Sequence, residues 1–90
     1  MREKAVTKTA ASIIRLAKTS DARAIAELSR SQIETELPWR WRPGRVKHHI
    51  RIEESTVIVS ESKNVLSGFA ITSFADTTAH INLLAVNPAF

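Results

Sequence analysis

Residues 79–90 run Ala79-His80-Ile81-Asn82-Leu83-Leu84-Ala85-Val86-Asn87-Pro88-Ala89-Phe90. Alternation along Ala79 to Val86 predicts a β-strand, with His80, Asn82, Leu84 and Val86 on one face and Ile81, Leu83 and Ala85 on the other. The residues upstream fix what this strand pairs with. Asp76-Thr77-Thr78 supplies a turn, and Val65 to Phe74 forms a longer strand interrupted by Gly68. Ser62-Lys63-Asn64 supplies another turn. Thr56 to Glu61 (Thr-Val-Ile-Val-Ser-Glu) is a β-branched run suited to a strand. Three strands in succession with short turns imply an antiparallel meander.

Further upstream the period changes. Pro43 and Gly44 can open a helix, because proline is tolerated where the first N–H has no intrahelical partner. Its positions Val46, His49, Ile50 and Glu53 follow the helical period loosely. Leu37-Pro38 ends an earlier helix, since a proline ring disfavours helical geometry in the residue before it. Trp39 to Arg42 is therefore loop. In the earlier helix Ala22, Ile25, Ala26, Ser29 and Ile33 share one face, Thr19 or Ser20 can cap it, and Asp21 suits the positive end of the dipole. Ser12 to Ala17 reads as a short strand. Met1 to Ala11 is polar and aperiodic, a flexible tail before a single domain over residues 12–90. The order is β-α-α-β-β-β, an α+β chain whose helices must cover the sheet to bury its apolar face.

Composition narrows the chemistry. A 90-residue chain buries about 60 to 65% of the surface that its unfolded form exposes, so one domain with a thin stability margin is expected. The absence of cysteine removes disulfides, a thiolate nucleophile and Cys-based zinc sites. No apolar run approaches the roughly 20 residues that a membrane span requires, and Arg2, Glu3 and Lys4 lead into no apolar signal core; a cytoplasmic protein is expected, with no membrane partner. All Lys and Arg residues except Lys63 lie within the first 51 residues. Arg40, Arg42, Arg45, Lys47 and Arg51 occupy a stretch without an acid between Trp39 and Ile52, a surface that attracts anions. His48 and His49 are adjacent and face different sides of a helix, which is poor ligand spacing, so no metal site is expected.

Three stretches in this order resemble the GNAT superfamily of N-acetyltransferases. Ile14-Arg15-Leu16-Ala17 with Thr19-Ser20-Asp21-Ala22 and Ile25-Ala26-Glu27-Leu28 is similar to the family's opening strand and first helix. Val57-Ile58-Val59-Ser60-Glu61 through Leu66-Ser67-Gly68-Phe69-Ala70 is similar to its second and third strands. His80 to Phe90 is similar to its fourth strand and the entry to its cofactor loop. The resemblance implies the N-terminal half of a three-layer acyl-CoA N-acyltransferase fold, ending before the glycine-containing loop that would hold the pyrophosphate at a helix N-terminus. It implies acetyl transfer from acetyl-CoA to an amine, with weak or absent cofactor binding and no activity expected of these 90 residues alone.

The resemblance also implies roles. The backbone at Leu84, Ala85 and Val86 would contact pantetheine and the thioester carbonyl, since N–H groups of a strand act both as sheet partners and as oxyanion donors. The competing role for these residues is that of an apolar core strand. His80 would take the proton of the acceptor ammonium, with Asn82 beside it, imidazole being suited to proton removal near neutral pH; a surface histidine is the competing role. Trp39, Arg40 and Trp41 would line the acceptor site, or one Trp plugs the core and the arginine is solvated. The strand over 79–86, with Ile81, Leu83, Leu84 and Val86, would form an uncovered edge, predicting a homodimer. A different class of function stays open: a small basic protein that contacts nucleic acid or an acidic partner through Trp39–Arg42. Nucleic acid is not expected as a partner of the enzyme.

Overall fold

A computed structural model describes residues 12–75 and 78–88 of the chain. Its elements are β1 (Ser12–Leu16), a 3-10 turn (Thr19–Asp21), α1 (Ala22–Gln32), α2 (Pro43–Arg51), β2 (Ser55–Ser62), β3 (Val65–Ala75) and β4 (Thr78–Val86). The four strands form one sheet in the order β1-β2-β3-β4, every neighbouring pair antiparallel. This is the α+β order that the sequence predicts. The expected tail, Met1 to Ala11, lies outside the described residues, as do Asp76 and Thr77 of the expected turn and the terminal Ala89 and Phe90.

Both helices lie on one face of the sheet, giving two layers. Ala22, Ile25, Ala26 and Leu28 of α1, Val46 of α2 and Trp41 from the loop between them pack on Val57, Val59, Phe69, Ile71, Leu83 and Ala85. On α1, Leu28 joins the buried stripe, whereas Ile33 lies past the helix end and is 37% exposed. Neither Thr19 nor Ser20 caps α1. They belong to the 3-10 turn, where the Asp21 carboxylate accepts from Lys18 N (2.7 Å) and from both terminal nitrogens of Arg15 (2.9 and 3.1 Å). Arg15 also donates to Glu61 (2.6 Å), tying β1 to β2 and to the start of α1. These bonds raise the Arg15 pKa and, with burial opposing, hold the Asp21 carboxyl below its ordinary value. At the start of α2, Arg42 is extended and Pro43 takes the first turn, as proline geometry requires.

Two bulges reset the faces of the sheet. Ser60 pairs with Gly68 and Glu61 with Leu66, so Ser67 is an extra residue in β3. Ile71 pairs with Leu83 and Thr72 with Ile81, so Asn82 is an extra residue in β4. Strict alternation, which places His80 with Leu84 and Val86, therefore fails at Asn82. Paired residues share a face, so His80 joins Ser73, Leu83 and Ala85 on the helix side, while Ile81 joins Leu84 and Val86 on the other. That second face is apolar and uncovered: Ile14, Leu16, Ile58, Phe74, Ile81, Leu84 and Val86 all exceed a third exposed. No helix among the described residues is long and apolar enough to cross a membrane.

Candidate functional site

β4 is the outer strand of the sheet among the described residues, so the edge away from β3 is open to a ligand or another strand. Of the residues expected to contact cofactor, Leu84 and Val86 line a shallow apolar hollow of about 150 Å³ on the uncovered face, with Ile14, Ile58, Gly68 and Ala70. Ala85 borders the hollow as well, but its side chain turns the other way and is buried in the core. Gly68 is what permits this close approach of β3 to β4. A Cβ there would stand 3.0 Å from the Ala85 carbonyl oxygen and 3.6 Å from Val86 Cα.

At the opposite end of β4 the bulge assembles a polar row on the helix side. Ser55 of β2 pairs with Ser73 of β3, which pairs with His80 of β4. Cross-strand partners sit about 5 Å apart, so the three side chains form one continuous line. Asn82, the bulge residue, donates from Nδ2 to Ser73 Oγ. His49 Nδ1 bonds Ser55 Oγ at 2.8 Å, joining α2 to the row. Burial lowers the His49 pKa, and repulsion from His48 and Arg45 lowers it further, so its imidazole is neutral at neutral pH. His80 and Asn82 are both exposed. The row can accept a proton at His80 or His49 and orient a polar group through Ser55, Ser73 and Asn82. Ser55 and Ser73 were not singled out from the sequence, and His49 was weighed there only as a helix position and a poor metal ligand, because only strand register and the α2 packing bring the three together.

The loop between the helices borders this row. The ring of Trp41, 9% exposed, lies 5.1 Å from the His49 ring, and the Arg45 guanidinium sits 4.1 Å over it. Trp39 is half-buried and its Nε1 donates to the Ala26 carbonyl at 3.2 Å. Arg30 and Arg42 approach its ring to 4.9 and 5.1 Å. Arg40 is exposed, but its backbone N–H donates to Glu34 Oε1 at 2.7 Å. Glu34 is buried at 5% exposure and also accepts from Ser29 Oγ (2.7 Å) and from Trp41 N (3.3 Å). One carboxylate thus fixes the loop that presents both indoles. Trp41 fills the core, Trp39 packs at its margin and the Arg40 side chain is exposed, which is the structural alternative read from the sequence.

No protein-family model and no curated protein sequence matches the chain. Solved structures do. The ribosomal-protein-alanine N-acetyltransferase of Brucella melitensis biovar Abortus 2308 superposes with a TM-score of 0.66 at 18% identity, over 86% of this chain and 57% of its own. The yncA protein of Salmonella typhimurium, solved with its cofactor acetyl-CoA, gives 0.65 at 21% identity, over 89% and 53%. A GNAT-family acetyltransferase of Streptococcus pneumoniae gives 0.56 at 14%, over 88% and 56%. The chain therefore spans just over half the length of these structures, and over that span it has the fold of the GNAT acetyltransferases.

Proposed function

We propose that the chain carries part of an acyl-CoA-dependent N-acetyltransferase, transferring acetyl from acetyl-CoA to an amine. The observation that carries this reading is β4, the outer strand among the described residues, which has an open backbone edge at Leu84–Val86 and, at its other end, a polar row that its bulge completes with His80. The chemistry is attack of a neutral amine nitrogen on the thioester carbonyl carbon: the C–N bond forms, the C–S bond breaks, and the thiolate leaves. What the residues here contribute is placement and proton handling. Backbone groups of Leu84, Ala85 and Val86 pair with the pantetheine amides and stabilise the developing oxyanion, and the hollow over Gly68 receives apolar atoms of the same arm. His80, with Asn82 and Ser73 beside it, takes the proton that the ammonium must lose.

The glycines of the sequence are Gly44 and Gly68, and neither lies in a loop leading from β4 into a helix. We therefore expect the 90 residues alone to hold acetyl-CoA weakly, at hundreds of micromolar or above. Amide chemical shifts during titration with acetyl-CoA test the reading at that affinity. Perturbation should centre on Leu84, Ala85 and Val86; shifts confined to α2 or the helix loop, or none at millimolar cofactor, would overturn it. In a form that turns over, His80→Ala should lower kcat more than it raises KM for acetyl-CoA and should change the pH–rate profile.

A further inference from the structure

The helix layer carries six cations: Arg30 on α1, Arg40 and Arg42 in the loop, and Arg45, Lys47 and Arg51 on α2. The ion pairs among the described residues are Arg15 with Asp21 and Glu61, and Arg23 with Glu27, and none of the six takes part in one. Glu34, the carboxylate fixed in this loop, is buried and already accepts from Ser29, Arg40 N and Trp41 N. Glu36 is exposed in the same loop and pairs with none of them. Mutual repulsion would be expected to splay such a group. Instead, three of the guanidiniums are gathered onto two indoles, Arg30 and Arg42 on Trp39 and Arg45 on Trp41. Arg30 and Arg42 lie no further apart than the sum of their distances to one ring.

A guanidinium that lies over an indole uses its flat face and keeps its in-plane N–H donors, the edge that matches a carboxylate with two parallel hydrogen bonds. The rings themselves offer little to a stacking ligand. Trp39 is approached by two guanidiniums, and Trp41 is buried between Arg45 and His49. A platform for nucleic-acid bases needs open aromatic faces, so this surface differs from one. Trp41 touches His49, and His49 bonds Ser55, the first member of the row that ends at His80.

We propose that Arg42 and Arg45, held on Trp39 and Trp41, select a carboxylate-bearing amine and deliver its nitrogen toward the Ser55–Ser73–His80 row. This rests on acetyl transfer as the function of the site. The carboxylate can belong to a free acidic amino acid or to an acidic peptide with a free amino terminus. Trp39 and Trp41 are the two tryptophans of the chain, so their fluorescence reports binding directly.

The test titrates the 90-residue chain with a short peptide carrying a free amino terminus and three glutamates, with its glutamine counterpart, with free glutamate, with inorganic phosphate and with a single-stranded oligonucleotide. The glutamate peptide should bind at least about tenfold more tightly than the glutamine peptide. Arg42→Gln and Arg45→Gln should each weaken it about threefold to tenfold, as charge-assisted hydrogen bonds at a partly exposed site would. Arg45→Lys should recover only part of the loss, since it restores charge without the planar fork. Arg23→Gln is the control, and circular dichroism checks that each variant is folded. Free glutamate that competes as well as the peptide assigns a small acid as the source; competition by the peptide alone assigns a polypeptide. Equal binding of the two peptides, unchanged affinity in both Gln variants, or tighter binding of phosphate or the oligonucleotide would overturn the proposal. Glutamate-selective binding with no amide shift at Leu84, Ala85 and Val86 under millimolar acetyl-CoA would count against the acetyltransferase reading and leave carboxylate recognition standing. Equal binding of the two peptides with those shifts present would do the reverse.

Discussion

Glu34 shows how a single buried acid can organise a site without belonging to it. Its carboxylate joins the end of α1, through Ser29, to the backbone of Arg40 and Trp41, and so holds the loop that carries both tryptophans. Burial alone would raise its pKa, but the bonds from Arg40 N, Ser29 Oγ and Trp41 N, with the Arg40 charge, bring it below the ordinary 4.5. A carboxyl depressed in the folded state contributes stability that is present above its unfolded pKa and is lost as the pH falls through the folded value. Glu34→Ala should destabilise the fold by about 2–4 kcal/mol at neutral pH, because it strands buried donors. Glu34→Gln should cost less and should flatten the loss of stability between pH 6 and pH 3; urea denaturation across that range checks both, and identical pH dependence in wild type and Glu34→Gln would remove this role. None of it was legible in the sequence. Ser31-Gln32-Ile33-Glu34-Thr35-Glu36 is a polar stretch past a helix end, and nothing in its pattern separates Glu34 from Glu36.

At the level of elements the sequence was far more informative, since period and turn residues are local signals. The β-branched run in β2, the Ser62-Lys63-Asn64 turn and Pro43 at the start of α2 each announce themselves through backbone preference. The structure bears them out, with Lys63 and Asn64 at φ values of 54° and 66° in that turn. The faces of β4 were misread for the opposite reason: a bulge is settled by pairing with β3, which local alternation cannot register. Its effect is to exchange Ile81 and His80 between faces, creating the polar row and, at the same time, completing the apolar one. Gly68 is the corresponding fixed point at the far end of the strand. A glycine in a strand normally gains from replacement by Ala, by roughly 0.5–1 kcal/mol. Here the added Cβ would meet the Ala85 carbonyl at 3.0 Å, and that atom is backbone in the neighbouring strand. Gly68→Ala should therefore destabilise by about 1 kcal/mol, and amide exchange should quicken at Leu84 to Val86. A stabilised variant would mean that β4 yields freely and is not a rigid seat.

For the whole molecule, the distribution of exposed apolar area sets the behaviour in solution. The helices cover one face of the sheet, while Ile14, Leu16, Ile58, Phe74, Ile81, Leu84 and Val86 populate the other next to the open edge of β4. Each of these side chains retains enough exposed area for roughly 1 kcal/mol on full burial. Seven on each of two copies amount to something on the order of 14 kcal/mol, against an association cost of roughly 4–15 kcal/mol. The balance is favourable over most of that range, so we expect the 90-residue chain to pair by hundreds of micromolar, about −5 kcal/mol, and a two-fold arrangement lets the same patch face itself. The residue that tests this is not Leu83, which the sequence alone would offer. Leu83 is 8% exposed beneath the helices, and a charge there would unfold the core. Leu84, at 60% exposure, lies in the patch without supporting the core. Light scattering across a concentration series should give a mass rising above the 10.0 kDa of one chain, and Leu84→Lys should return it to the monomer with the circular dichroism spectrum unchanged. A wild-type chain that stays monomeric at hundreds of micromolar would rule out pairing through this face.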